Sequence, residues 1–594
     1  MSDLLNSASL VMIPSGYKED IVYSEVPTNG NGDLSFTRAS NGTRINSAGL
    51  VEVVPWNAMS YSNTFTNGVW VTSGYGNLPT LTANSIANPV NGLVDAWTAS
   101  FAAAGTQGRL LQTFTGLPVG VPYTFSIYIK AGTKTIVTIM SDTASIGLEA
   151  NFNLSTGVVT SASSGVTATI TAMTNGWYFL TMTNNILSNG NGQYGIVTGP
   201  GDDGSLYIYG AQVNIGSTAK PYFPTTDRLN VPRLTYQNGG GGCPSLLLEK
   251  QSTNLVLQSE NWGTYWVVQN ISASVNQTTS PDGTTNADLL TTTNTGICYT
   301  YQYLSGTSGA YSTSVFVKNG NNNFFALNVQ NASTQWVSAI FDLSDGSLGE
   351  YAQGSGGAFV YTSHTITSVG DGWYRCVLNY TTTQSTYICP MFAPLKTGNS
   401  FTSSYGEVDN NANNKTLYIW GAQLEASSYP TSYIPTTSAS ATRVADVCTK
   451  TGIGALIGGT SGTVFFDIKT NPVLSSESYK QFCYYFTSGG AQSYMYLGST
   501  NLIVTNSNWA SLVGSTAFVA NTRYKVALVY APNDFALYVN GVSVATASSG
   551  TPLNNVDITI GQIAGGENCE FVFNQYTHFP SRLTNAELAS LTTI

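Results

Sequence analysis

Only two histidines occur in this 594-residue chain, His364 and His578, and neither belongs to a pattern that does chemistry. No GxSxG elbow, HExxH helix, phosphate loop or dinucleotide fingerprint is present. Neighbouring acids occur at Asp202-Asp203, Glu407-Asp409 and Glu567-Glu570, all in turn-like stretches where solvated carboxylates are the simple reading. Retaining glycoside hydrolysis needs two carboxyls about 5 Å apart, and the strand phrase "FFDIKT" offers only Asp467. The expectation is a protein that is not an enzyme and needs no cofactor. Seven cysteines are scattered without CxxC spacing, which argues against a zinc site and against a disulfide-dense scaffold. Cys376 and Cys389 lie on either side of "TTTQ" in a hairpin pattern. They either oppose each other or are two buried thiols, and the second is the simpler reading.

Binding chemistry is better represented. Sugars are held by aromatic faces against their C–H surfaces and by amides against their hydroxyls. The candidates are Trp97 and Tyr75 in the first third of the chain, Trp262 and Trp336 in the middle, and Tyr484, Tyr494, Tyr496 and Trp509 near the end. For each of these the competing reading is ordinary core packing. Trp70 and Trp266 occupy matching places in a repeat, described below, and read as structural.

The elements that must position these residues are strands. "TFSIYIKAG", "TSVFVKNG", "TLYIWGAQL", "YKVALVYAP" and "FALYVNGVSVAT" alternate or run apolar, with β-branched and aromatic residues bounded by Gly, Asn, Asp and Pro. The fold class expected is all-β, as several sandwiches. One helical pattern stands at the C-terminus, where Thr584 and Glu587 form a capping box before Leu588 and Leu591. Only 9% of residues are charged and the net charge is −10 without a Lys/Arg run, so neither nucleic acid nor an anionic membrane is expected as a partner. The N-terminus carries no secretory pattern, and no apolar run reaches the roughly 18 residues of a membrane span.

The chain repeats itself. "YTFSIYIKAG" from Tyr123 matches "YSTSVFVKNG" from Tyr311, "FNLSTG" from Phe152 matches "FDLSDG" from Phe341, and "TITAMTNGWYFL" from Thr169 matches "TITSVGDGWYRC" from Thr365. "LYIYGAQ…YFPTT" ending at Thr226 matches "LYIWGAQ…YIPTT" ending at Thr437. Each copy is one sandwich module. Trp177 and Trp373 are expected to plug the cores, and the glycine of "GAQ" suits a bulge.

These phrases resemble the carbohydrate-binding-module-like jelly rolls of tailed-bacteriophage virion proteins, particularly fibre-like adsorption proteins. "LSFTRASNGTRINSAGLVE" (34–52), "NVPRLTYQNGGGGCPSLLLEKQSTNL" (230–255) and "ATRVAD" (441–446) are similar to a virion signature. "RYKVALVY…FALYVNGVSV" resembles a concanavalin- or laminin-G-like lectin sandwich, and Asn540-Gly541 in it is a hairpin signal. The resemblance implies a leader at 1–56, jelly rolls at 57–228 and 254–440, a linker at 229–253 continuing the leader, and a lectin-like domain at 441–594. It implies a non-enzymatic protein on the virion surface, assembled in the host cytoplasm. Host or environmental glycans are the expected ligands; the alternative is a spacer or decoration protein. A glycan-binding protein attached to a polysaccharide-degrading enzyme is the remote alternative. It implies other virion proteins as partners of the leader, and a homo-oligomer with a trimer favoured. Jelly rolls of this kind often hold a structural Ca²⁺, for which Asp282 and Asp288 in "SPDGTTNAD" are the candidate ligands.

Overall fold

The strand-forming phrases become strands throughout the computed structural model, which describes the chain apart from residue 1 and a set of stretches, the longest being 71–75, 116–120, 186–191, 396–408, 471–481 and 563–567. The fold is all-β. The chain divides into two compact units: Pro55–Arg228 with Thr278–Asn286, and Met1–Val54 with Leu229–Gln277 and Ala287–Ile594. Among the described residues no helix is long and apolar enough to cross a membrane.

The first unit holds a jelly roll of two six-stranded sheets. The second unit holds the other jelly roll, of seven- and six-stranded sheets, and a further sandwich of eight- and nine-stranded sheets. In both jelly rolls a long central strand is flanked identically. Pro122–Ala131 pairs with Trp177–Asn185 and Gly204–Ile215, and Gly309–Asn319 pairs with Trp373–Thr382 and Thr416–Glu425. The repeated glycine sits at a register shift in each copy, with φ of 62° at Gly210 and 64° at Gly421. A Cβ at Gly421 would come within 2.9 Å of the Phe316 ring, so this left-handed bulge takes glycine alone.

The repeated "YFPTT" and "YIPTT" phrases close each module on its own beginning. Asn57 donates to the carbonyls of Ala211 and Phe223 and accepts from the N–H groups of Met59 and Val213. Asn254 repeats this with Ala422, Ile434, Val256 and Leu424. Both side chains are fully buried, so their full bonding capacity is used. Ser62 with Tyr222, and Ser259 with Tyr433, add a hydroxyl pair to each closure. The duplication of the phrase is thereby a duplication of the device that joins the two ends of an inserted module.

The leader and linker expected at 1–56 and 229–253 are not separate elements. Leu10–Met12 and Ser245–Leu248 both pair with Phe571–Phe579, and Leu34–Thr37 pairs with Val447–Lys450. Leu10, Met12, Val22, Leu34, Phe36, Leu246 and Leu248 lie in one core with Phe466, Tyr484 and Tyr576. Apart from the Gly42–Ile45 and Val51–Val54 hairpin, these segments form no separate sheet, and burial of their apolar residues requires the C-terminal strands. The C-terminal sandwich is therefore discontinuous in sequence, and both jelly rolls are insertions into it. Ser252–Asn254 pairs with Ala441–Arg443 to form the neck of the second.

The signature phrases meet in a buried ionic network. Arg38 Nη1 lies 2.8 Å from Asp446 Oδ1; Arg233 bonds Asp446 and lies 2.5 Å from Glu249 Oε2; Arg443 lies 3.0 Å from the same oxygen. The side chains are 0–4% exposed. Burial alone would raise the Glu249 carboxyl, but Arg443 and Arg233 hold it well below the usual range. "TRAS", "VPRL", "LLEK" and "TRVAD" thus belong to one internal lock.

Three local expectations change. Trp177 and Trp373 are 2% exposed, but Trp373 packs with Phe316, Trp420 and Tyr433 on the face turned away from the sandwich core, and Trp177 packs with Ala96 and Tyr209 likewise. Strand parity decides this: Cys376, Leu378 and Tyr380 take the inward face. Cys389 lies outside that inward set, so it and Cys376 do not oppose each other and both are buried thiols. The disulfide lies elsewhere, between Cys483 and Cys569. The capping box at Thr584–Glu587 and the Asn540-Gly541 turn, with φ of 48° and 84°, form as read.

Candidate functional site

Most of the proposed aromatic platforms are structural. Trp97 is 9% exposed, packs edge-on against Phe65 and donates its Nε1–H to Asn63 O. Trp262 is 1% exposed and stacks on Trp266 at 5.0 Å. Tyr484 is wholly buried, its hydroxyl 2.9 Å from that of Tyr576. Tyr496 is buried, and half-buried Tyr494 bonds Gln492. Tyr75 and Trp509 lie outside the described residues. His364 bonds Tyr361 Oη and Gly349 O, and His578 is buried beside Tyr530.

The calcium candidates are also occupied otherwise. Asp282 Oδ1 accepts from Ser280 Oγ, Thr284 N and Thr284 Oγ1, while Asp288 accepts from the N–H groups of Trp262 and Asn276. Carboxylates facing N–H donors are committed to holding their loops. Burial pushes the Asp288 carboxyl up to about 6, although those two N–H bonds oppose the rise. Among the described residues no three His, Cys, Asp or Glu gather as a metal site.

Trp336 is 7% exposed and buried as well, but on the opposite face of its sheet. In the second jelly roll Val337, Ala339 and Phe341 point into the core with Phe325, Leu327 and Val329, so alternation sends Trp336 and its pair Gln330 to the outer face. Gln330 is opposite Cys389 on the next strand. There Ile388 and Phe392 are core residues, so Tyr387, Cys389 and Met391 face outward. Tyr301 is opposite Met391, and Leu304 is opposite Ile388 in the same unbroken register, which sets Tyr303 beside Cys389. One row across four strands therefore reads Trp336, Gln330, Cys389, Tyr303.

Tyrosines flank that row. The rings of Tyr299 and Tyr301 are 5.6 Å apart, those of Tyr301 and Tyr303 5.0 Å, and those of Tyr303 and Tyr387 6.2 Å. Tyr303 is 65% and Tyr387 54% exposed. The bond between the Tyr301 and Tyr303 hydroxyls pushes the Tyr301 hydroxyl up to about 12. Between the aromatics stands Gln330, whose buried Oε1 has no hydrogen-bond partner among the described residues. Tyr299, Tyr301, Tyr303 and Tyr387 are absent from the sequence-derived candidates. The phrase "CYTYQYL" carried the signal, because its period-two tyrosines must share one face of a strand.

The first jelly roll shows what this face is in a copy without that specialisation. Its strands pair Asp142 with Gly147, Asp142 with Gln193, Gln193 with Thr113, and Gly195 with Leu111. The positions of Trp336, Tyr303 and Tyr301 are thus Gly147, Thr113 and Leu111. Core residues keep their apolar character between copies, and on the outer face Leu111, Met140 and Val197 in the first and Ala326, Ile340 and Ala393 in the second are buried too, while the tyrosines occur in the second alone.

No protein-family model and no curated protein matches this chain. Solved structures with partial likeness include the CBM40 of a Ruminococcus gnavus IT-sialidase, at 18% identity over 23% of this chain and 86% of that one, TM-score 0.19. A tandem CBM22 domain from Paenibacillus barcinonensis Xyn10C is 9% identical over 62% of this chain and 96% of its own, TM-score 0.18. The LG1-3 region of the laminin alpha2 chain is 12% identical over 80% and 96%, TM-score 0.15. At such scores these likenesses carry no argument about function.

Proposed function

We propose that this chain is a non-catalytic carbohydrate-binding protein, and that the second jelly roll holds the glycan on the tyrosine cluster of Tyr299, Tyr301, Tyr303 and Tyr387. The observation that carries this is the clustering of four tyrosine rings, Tyr303 and Tyr387 exposed among them, on a sheet face whose counterpart strands in the first copy carry no aromatic there. Apolar ring faces suit sugar C–H surfaces, and rigid tyrosines lose little entropy on binding. The first jelly roll, lacking aromatics there, serves as a spacer, so the duplication supplies length rather than a second equivalent site. The finer reading, a fibre-like protein on the surface of a bacteriophage particle, assembled as a homo-oligomer, is supported by the resemblance of the signature phrases.

A glycan array probed with the full chain and with Tyr303→Ala tests the proposal. Tyr303 is exposed, so its truncation spares the fold. Signal on at least one glycan class, reduced about tenfold or more by the substitution, is expected. An array without signal, or signal indifferent to Tyr303→Ala and Tyr387→Ala alike, refutes it.

A further inference from the structure

Resting on that reading, we infer that the ligand is a free, uncharged glycan chain several sugars long that runs along the exposed edge of the seven-stranded sheet, over Tyr299, Tyr301, Tyr303 and Tyr387 in turn, and is neither a single sugar nor a flat packed glycan surface. Direction leads there first. Tyr299, Tyr301 and Tyr303 alternate onto one face of one stretch of chain, and Tyr387 stands opposite Ser305, two residues further along. The ligand on them therefore follows the strand instead of crossing the sheet. The rings succeed one another at 5.6, 5.0 and 6.2 Å, so each step is comparable to one sugar. A single sugar covers one step; a chain covers the row.

Shape is the second observation. Successive rings are inclined at 58°, 89° and 71°, so they share no plane. A packed sheet of glycan chains needs coplanar rings beneath it. A free chain turns at its linkages and can lay a C–H face on each ring in succession. Access is the third. Tyr303 is 65%, Tyr387 54% and Val267 46% exposed. Val267 and Gln269, on the edge strand of this sheet, stand opposite Tyr301 and Tyr299. They give the chain an apolar contact and an exposed amide along its flank. Further across the sheet Trp336, Cys389 and Met391 are buried, which confines the ligand to the tyrosine edge. Charge is the fourth. The segments 267–269, 299–305 and 387–395 contain no Arg, Lys, Asp or Glu, and acidic sugars are recognised by Arg or Lys through charge-assisted bonds.

Calorimetric titration of the full chain decides the matter. The probes are cello-, xylo- and manno-oligosaccharides of one to six units, with oligogalacturonate as the acidic probe and microcrystalline cellulose as the packed surface. Affinity for at least one neutral series is expected to rise about tenfold or more with length and then level off, because each further sugar meets a further ring at the effective concentration set by the chain. Tyr387 is exposed and ends the row. Tyr387→Ala is therefore expected to bring the plateau to a shorter chain while the thermal midpoint is retained. A monosaccharide binding as tightly as the hexasaccharide overturns the length. Binding to microcrystalline cellulose without affinity for any soluble chain overturns the argument from ring angles. Oligogalacturonate binding where no neutral series does overturns the argument from charge. A plateau unmoved by Tyr387→Ala overturns the direction. Each of these results leaves carbohydrate binding itself intact. Failure of every saccharide refutes the carbohydrate reading as well.

Discussion

Asp446→Asn tests whether the buried lock holds the C-terminal sandwich together. The Asp446 carboxylate touches Arg38 with one oxygen, and Arg233 and the Glu249 N–H with the other. Both guanidinium groups are fully buried. The substitution keeps shape and volume but removes the negative charge, and its amide N–H₂ faces donors. Glu249 remains to serve Arg233, while Arg38 keeps only carbonyl acceptors, Ser40 O and Val231 O. Removing one member of a buried pair typically costs about 3–5 kcal/mol. That is a large share of the roughly 5–15 kcal/mol by which a domain is stable. At about 2–4 °C per kcal/mol for a domain of this size, the transition of the C-terminal sandwich should fall by roughly 6–20 °C. Scanning calorimetry of the full chain reads this, because the first jelly roll's transition serves as an internal reference. A fall under about 2 °C in that transition would refute the argument that the charges must be met inside the fold.

Further outcomes follow from the same structure. Deleting residues 1–37 removes Leu10, Met12, Leu34 and Phe36 from the core, at about 1.5–3 kcal/mol each. Expression of the shortened chain should give an unfolded or aggregated C-terminal sandwich, seen as loss of its calorimetric transition. Asn254→Ala breaks four buried bonds at the neck of the second jelly roll and should lower its stability by about 2–4 kcal/mol in denaturant titration. His578 has its pKa lowered by burial to about 3, against about 6.5 when unfolded. The unfolded state binds the extra proton between those values, so this contribution is complete above pH 6.5 and is lost as pH falls towards 3, by up to about 5 kcal/mol. Thermal midpoints at pH 7.5 and 4.5 should therefore differ more in the parent chain than in His578→Phe. Asp288, raised to about 6, acts oppositely: its contribution is present below about pH 4 and lost as pH rises through 6, a trend that Asp288→Asn should abolish.

What the sequence determined by itself is local. Alternation with β-branched and aromatic residues decides strand over helix. Asn540-Gly541 sets a turn because those residues tolerate positive φ, and Thr584 with Glu587 caps a helix through bonds three residues apart. The repeat declared two modules because each must bury the same core. Whether an aromatic serves core or surface was another matter. Trp262 and Tyr303 are both plain aromatics in the sequence, yet one lies 1% exposed in the core and the other 65% exposed on the outer face, since a shift of one residue in strand register exchanges the faces. The partners of Leu10 and Arg38 stand more than 400 residues away, at His578 and Asp446. The Cys483–Cys569 bond spans 86 residues. Contacts of that range arise only when sheets close on each other, because nothing local in the chain favours one distant strand over the next; burial of the whole core makes the choice.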